Sequence, residues 1–288
     1  MPTEKVKTAR LSIISNTSLI ILKLIAGMIS GSVSIISEAI HSGMDLVAAV
    51  IAFFSVKMSD TPPDEEHPYG HGKFENVSGV LEALLIFVAA GWIIYEAVHK
   101  IITPAPVEKL EIGSIVMIIS AVVNFFVSRK LYRVAKKTDS IALEADALHL
   151  KTDVLTSAGV AIGLILISIT NWIFLDPIIA IIVALLILKE SFHLLRNAYL
   201  PLLDGSLSEQ ENQIIREEMQ KRNLSFHKLR TRKAGHFRFA DMHLELPEEL
   251  SLKEVHAICD EIEKDIESRI TNIEINIHVE PASTQMVK

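Results

Sequence analysis

Apolar residues run in six long stretches: Leu11–Ser30, Ser34–Met58, Asn76–Ile102, Ile112–Leu131, Ile141–Thr170 and Trp172–Leu188. A bilayer core of about 30 Å is crossed by about 20 apolar residues in a helix, so each stretch predicts a membrane span. The breaks between them are turn-like, as at Asp60-Thr-Pro-Pro-Asp64 and Pro104-Ala-Pro106. After Pro201-Leu-Leu-Asp204-Gly205 the long apolar runs stop. Ser208 and Glu211 make a capping-box signature that opens a helix to about Arg222. Strand patterns follow near Phe226–Arg232 and Phe237–Leu246. Ser251 and Glu254 open a second helix, with Val255, Ile258, Ile262 and Ile266 at helical spacing. The run Asn272–Val279 alternates apolar and polar residues, as a strand with one buried face does. The expected organisation is an all-α six-helix transmembrane domain over residues 1–203, then an α+β domain of order αββαβ over 204–288.

Composition agrees with the pattern. Of 288 residues, 50% are apolar and only 22% charged, and the mean hydropathy is +0.36, too apolar for an ordinary soluble surface. The lone Cys259 excludes an internal disulfide framework. Residues 204–288 carry 17 acidic and 12 basic residues, a net charge of −5. No basic face for nucleic acid is present. The N-terminal apolar run is too long for a cleavable signal and shows no cleavage site, so it reads as the first span. Lys5, Lys7, Arg10, Lys57, Lys73, Arg129, Lys130, Arg133, Lys136 and Lys137 fall on one side, against Lys100 and Lys109 on the other. Positive residues stay inside, so both termini are expected to be cytoplasmic in a multi-pass protein of the cell (inner or plasma) membrane.

One motif occurs twice. The second span holds Glu38-Ala-Ile-His41-Ser-Gly-Met-Asp45 and the fifth holds Asp146-Ala-Leu-His149-Leu-Lys-Thr-Asp153. The i, i+4 spacing sets His and Asp on one helix face. Ionisable side chains inside a bilayer are costly and turn to the protein interior, where they find partners. Two such helices face to face present His41, Asp45, His149 and Asp153, a tetrahedral two-nitrogen, two-oxygen set suited to Zn²⁺. Mg²⁺ and Ca²⁺ call for all-oxygen shells, and Cu(I) for thiolates. Interhelical hydrogen bonding without metal is the alternative. Glu38 and Asp146 read either as acceptors for the other imidazole nitrogen or as helix–helix partners, including of Lys23. Asn16, Glu82 and Asn124 read as packing or cavity-lining groups.

Six spans, this motif in the second and fifth, and the αββαβ tail together resemble the cation diffusion facilitator family of divalent-metal exporters, from about Arg10 to Pro281. The resemblance implies a homodimer in the bilayer that exchanges Zn²⁺ for protons by alternating access, with a ferredoxin-like, metallochaperone-like cytoplasmic domain. His at position 41 resembles the zinc-preferring pattern. Cd²⁺, Fe²⁺, Co²⁺ and Ni²⁺ stay open as cargo. It further implies a loop site from Asp64, His67 and His71, where the alternative is a hydrated turn with exposed imidazoles. In the tail it implies a binuclear site at the dimer interface from His227, His243, His256, His278 and Glu280; His236 matches no ligand position. Metal there would stabilise the dimer.

Two other functions share features with this pattern. A membrane metal sensor or assembly scaffold that binds metal without moving it is compatible with the same motif. An intramembrane metalloprotease requires a His-Glu-x-x-His helix or an open metal position; no such pentapeptide occurs, and four protein ligands leave no place for an activated water. The chain is therefore expected not to be an enzyme.

Overall fold

A computed structural model describes residues 3–30, 33–103, 112–170, 172 and 174–282. A few side chains within these ranges, those of Glu38 and His41 among them, lie outside the described residues, as does the expected break at Pro104–Pro106. The chain divides into two compact units, Met1–Tyr199 and Leu200–Lys288.

The first unit is built from long helices: α1 (Glu4–Ser30), α2 (Val33–Ser59), α3 (Lys73–Ile102), α4 (Ile112–Thr138), α5 (Ile141–Thr170) and α6 (Leu175–Tyr199). Five of these six, all but α5, contain a described segment long and apolar enough to cross a membrane. α5 matches them in length but carries Glu144, Asp146, Lys151 and Asp153 in its first half. Three helices clearly outrun the apolar stretches that predict them, α1 by starting at Glu4 rather than Leu11. α4 continues through Lys136 and Lys137, and α6 continues past Lys189 to Tyr199. The reason in α6 is a buried seam, Ala184, Ile187, Ser191, Leu194 and Ala198, at alternating spacings of three and four.

That seam meets Gly79, Ala83, Ile86 and Ala90 of α3, spaced the same way. Small residues let the two backbones approach closely, the usual basis of helix association in lipid. A Cβ on Gly79 would stand 3.0 Å from that of Ala198. Ser191 donates to the Ala83 carbonyl at 2.9 Å, and Asn76 to that of Ala198 at 3.2 Å. On the other side of the bundle α1 packs on α2 and α4, and α4 on α5.

One end of this unit is pinned by a buried ionic cluster. Glu75 is 0% exposed and accepts from Lys5 at 3.0 Å, from Ser59 at 2.5 Å and from Ser140. Lys5 also pairs with Asp60 at 2.7 Å. The cluster joins the start of α1, the end of α2, the start of α3 and the turn between α4 and α5. A carboxylate buried this deeply is tolerated only because its oxygens are satisfied.

In the second unit a short 3-10 turn (Leu200–Leu203) leads to α7 (Glu209–Lys221), β1 (Ser225–Ala234), β2 (Phe237–Leu246), α8 (Leu252–Arg269) and β3 (Ile273–Pro281). Both predicted capping boxes are present, at Ser208/Glu211 and Ser251/Glu254. β1 and β2 pair antiparallel, β2 and β3 pair parallel, and α8 makes the crossover. Ile215 and Met219 of α7 and Ile262 and Ile266 of α8 bury against Ala240, Met242, Leu244 and Leu246 of β2. Ile262→Ala removes a fully buried side chain and is expected to cost about 2–5 kcal/mol. Hydrogen exchange at the β2 amides should then speed up roughly 30-fold or more, whereas Leu252→Ala, at an exposed position, should leave it unchanged; equal protection in both variants would contradict this packing.

Candidate metal centres

The repeated motif converges where α2 and α5 meet. His149 Nε2 lies 3.0 Å from Asp45 Oδ1. Asp45, His149 and Asp153 each offer a ligand atom within 4.8 Å of the others. Asn124 of α4 donates to Asp153 Oδ2 at 3.4 Å. Asp45 and Asp153 open onto a cavity of about 250 Å³ that Asn16, Lys23, Ser42, Ser120 and Asn124 also line. Three groups of the expected quartet are therefore together; His41 belongs to α2 by its backbone, but its side chain lies outside the described residues.

Asp146 makes no hydrogen bond to His149. Asp146 accepts from Ser12 at 3.1 Å, while Asp146 Oδ2 and His149 Nδ1 are both buried without a hydrogen-bond partner. Lys23 bonds Ser42 at 2.7 Å.

The loop between α2 and α3 folds around Asp64. Its Oδ1 accepts from the backbone N–H groups of Glu66 at 3.1 Å and His67 at 2.7 Å. This backbone bond from His67, aided by the two imidazoles, holds the Asp64 carboxyl below its ordinary range. His67 Nδ1 and His71 Nε2 each stand 3.4 Å from an Asp64 oxygen, and the two rings lie 4.4 Å apart. Gly70, at φ 77°, makes the reversal that brings His71 back. All three predicted loop residues thus come together, with His71 buried and Asp64 and His67 exposed. Asp64 is ionised at neutral pH, so the trio can offer one carboxylate and two imidazoles.

In the tail the register of the sheet does the assembling. His227 of β1 pairs with His243 of β2, which pairs with His278 of β3. Ring centroids are 5.2 Å apart for the first pair and 4.7 Å for the second. Glu280, two residues beyond His278 and on the same face, approaches His243 Nδ1 at 2.7 Å and His227 Nε2 at 3.2 Å. The bond from His243 holds the Glu280 carboxyl below its ordinary range. His227, His243 and Glu280 have ligand atoms within 4.8 Å of one another. His278 reaches the edge of the group, 3.8 Å from Glu280. His256 does not join it within the protomer: it stands on α8, 75% exposed, beside Asp260 at 3.4 Å.

Two neighbours were not singled out as site residues from sequence. Glu245 sits 3.3 Å from His227, and the signal for it is its position two residues after His243 on a strand. Asn124 reaches Asp153 from α4, and no motif marks it beyond being polar in an apolar run.

Comparisons with known proteins bear on the family. Residues 9–203 match the cation efflux transmembrane domain and residues 204–282 the cation efflux protein cytoplasmic domain. The chain is 39% identical to a transporter, sll1263, of Synechocystis, over 90% of this chain and 85% of that one. It is 32% identical to the cation-efflux pump FieF of Shewanella oneidensis, over 96% and 94% of the two chains. Among solved structures, the metal-bound C-terminal domain of the CzcD transporter from Thermotoga maritima is 27% identical, covering 28% of this chain and 100% of that one, with a TM-score of 0.24. Two adjoining domain matches over nearly the whole length make the chain a member of the cation diffusion facilitator family, a family of membrane cation efflux transporters.

Proposed function

We propose that this transporter exports Zn²⁺ from the cytoplasm in exchange for protons, as a homodimer in the cell membrane with both termini inside. The observation that carries the reading is the convergence of Asp45, His149 and Asp153 on one cavity among apolar helices. Imidazole and carboxylate are ligands that a borderline cation such as Zn²⁺ accepts at four-coordinate geometry, with His41 completing the set. Cd²⁺, Fe²⁺, Co²⁺ and Ni²⁺ compete for the same donors, and the cell's supply decides among them as much as affinity does.

Binding and protonation exclude one another here. A ligand imidazole must be neutral to hold metal, and free histidine changes charge near pH 6.5. When the helices turn the site outward, protons therefore compete the cation off and return with the emptied protein. The tail works differently. Its sheet gathers His227, His243 and Glu280 within one protomer, and His256 and His278 remain exposed for a second copy. Metal bridging the copies would tighten the dimer and couple cytoplasmic metal to the transport unit.

Two outcomes follow. Inside-out vesicles with a proton gradient should accumulate Zn²⁺ with the wild type, and Asp153→Ala should reduce the uptake at least about tenfold; wild-type uptake in that variant would refute the site. In the tail, the bond from His243 holds the Glu280 carboxyl below its ordinary range, so this ligand stays an anion on mild acidification. Imidazole holds metal only in its neutral form, so a tail site with histidine ligands should lose at least about tenfold in affinity on acidification from pH 7.5 to 5.5. Calorimetry on the full chain carrying Asp153→Ala and His67→Ala reads this directly, and pH-independent affinity would contradict an imidazole-based site.

A further inference from the structure

Positive residues crowd the end of the helical unit that the Glu75 cluster closes, and ion pairs do not take up all of them. Lys136 of α4 bonds Glu144 of α5 at 2.7 Å, and Lys137 bonds Glu4 of α1 at 2.6 Å. Lys7 and Arg10 of α1 and Arg129, Lys130 and Arg133 of α4 are exposed. None of these five pairs with a carboxylate among the described residues.

The helices α1 and α4 pack antiparallel, and the contacts along them fix their register. Glu4 meets Lys137 at one end, and further along Asn16 and Lys23 line one cavity with Asn124 and Met117. Lys7 therefore lies level with Arg133, Leu11 with Lys130, and Ile14 with Phe126. Glu4, Lys7, Leu11 and Ile14 share one face of α1 at spacings of three and four, as Phe126, Lys130, Arg133 and Lys137 do on α4. Because Glu4 and Lys137 bond each other, these two faces border one groove. Lys7 and Lys130 both stand near enough to Glu4 to act on its charge. Leu11, Ile14, Ile119 and Phe126 are exposed. Along its length the groove thus passes from an ion pair, through Lys7, Lys130 and Arg133, to an apolar wall.

A membrane phospholipid carries the matching chemistry in the same order, an anionic phosphate and then acyl chains. We propose that the outer groove between α1 and α4 binds an anionic phospholipid, its phosphate held by Lys7, Lys130 and Arg133 and its acyl chains lying on Leu11, Ile14, Ile119 and Phe126. Lys and Arg clustered at the end of a membrane helix attract anionic headgroups. Arg133 adds a planar fork that meets two phosphate oxygens at once. The single carboxylate on these two faces, Glu4, is bonded by Lys137, so the groove keeps a net positive charge. A soluble phosphate would meet the cations and leave the apolar wall unused, and that wall continues the surface that the spans turn to lipid. The bound lipid ties α1 to α4 at the end where Glu75 already joins neighbouring helices. The site depends neither on the metal reading nor on which leaflet this end faces.

Native mass spectrometry of the full chain, given equal amounts of phosphatidylglycerol and phosphatidylcholine, reads the site. The wild type should keep phosphatidylglycerol in preference. Lys130→Gln with Arg133→Gln should lower that retention at least about tenfold, and Lys7→Gln alone at least about threefold. Lys130→Arg with Arg133→Lys keeps the charge and should stay within about threefold of wild type. Lys57→Gln with Lys136→Gln removes as much charge from the same end outside the groove, and should change retention less than about twofold. An equal loss in that control overturns the proposal, because surface charge in general would then hold the lipid. Unchanged retention in the groove variants, or no preference in the wild type, overturns it as well. So does displacement of the lipid by inorganic phosphate, which would make the groove a site for a soluble anion. Should the groove pair not assemble, Lys7→Gln decides, with Lys57→Gln as its control.

Discussion

An ionisable side chain among apolar helices cannot rely on water, so its position is set by the partner it finds. That constraint orders the whole first unit. At one end Glu75 is saturated by Lys5, Ser59 and Ser140, and such a cluster resists being pulled apart because an orphaned buried charge costs several kcal/mol. Halfway along, the polar groups are less fully bonded: Asp45 and His149 bond each other at 3.0 Å, while His149 Nδ1, Asp146 Oδ2 and Glu82 Oε2 are buried without a hydrogen-bond partner. The closed end gives rigidity, and the middle of the bundle is where the proposed function sets the cation.

Packing follows the same logic. In lipid there is little hydrophobic gain from joining two helices, so α3 and α6 associate through small residues and backbone-directed hydrogen bonds. Gly79, Ala83 and Ala90 against Ser191 and Ala198 allow that close approach. The α3–α6 pair thereby forms one packed element beside α1, α2, α4 and α5. The second unit lives in water and follows different rules: its core is a sheet face covered by α7 and α8, and its histidines line up because three strands share a register.

Much of this was legible in the residues. The repeated acid-x-x-His-x-x-x-Asp motif pointed to α2 and α5, and the capping boxes fixed the starts of α7 and α8. What sequence spacing alone could not supply was anything that depends on a neighbour from another element. Asn124 reaches Asp153 only because α4 packs on α5. Glu245 joins His227 only through the β1–β2 register. His256 carries the right chemistry but sits exposed on α8 beside Asp260, and spacing along the chain gives no sign of that separation. Charged residues such as Lys136 and Lys189 interrupt the apolar runs without ending the helices, because their neighbours on the buried face continue. Of the two readings open for Asp146, imidazole acceptor or helix–helix partner, the second describes its bond from Ser12 of α1.

The central claim is that side chains of α2 and α5 hold the transported cation within the helices. Zinc-edge X-ray absorption on the full chain, with His67, His227 and His243 replaced by alanine so that only the intramembrane group remains, tests it most directly. The account predicts one zinc per protomer in a four-coordinate nitrogen and oxygen shell at about 2.0–2.1 Å, lost on Asp153→Ala. A hydrated six-coordinate zinc, or a shell unchanged by that substitution, would contradict it.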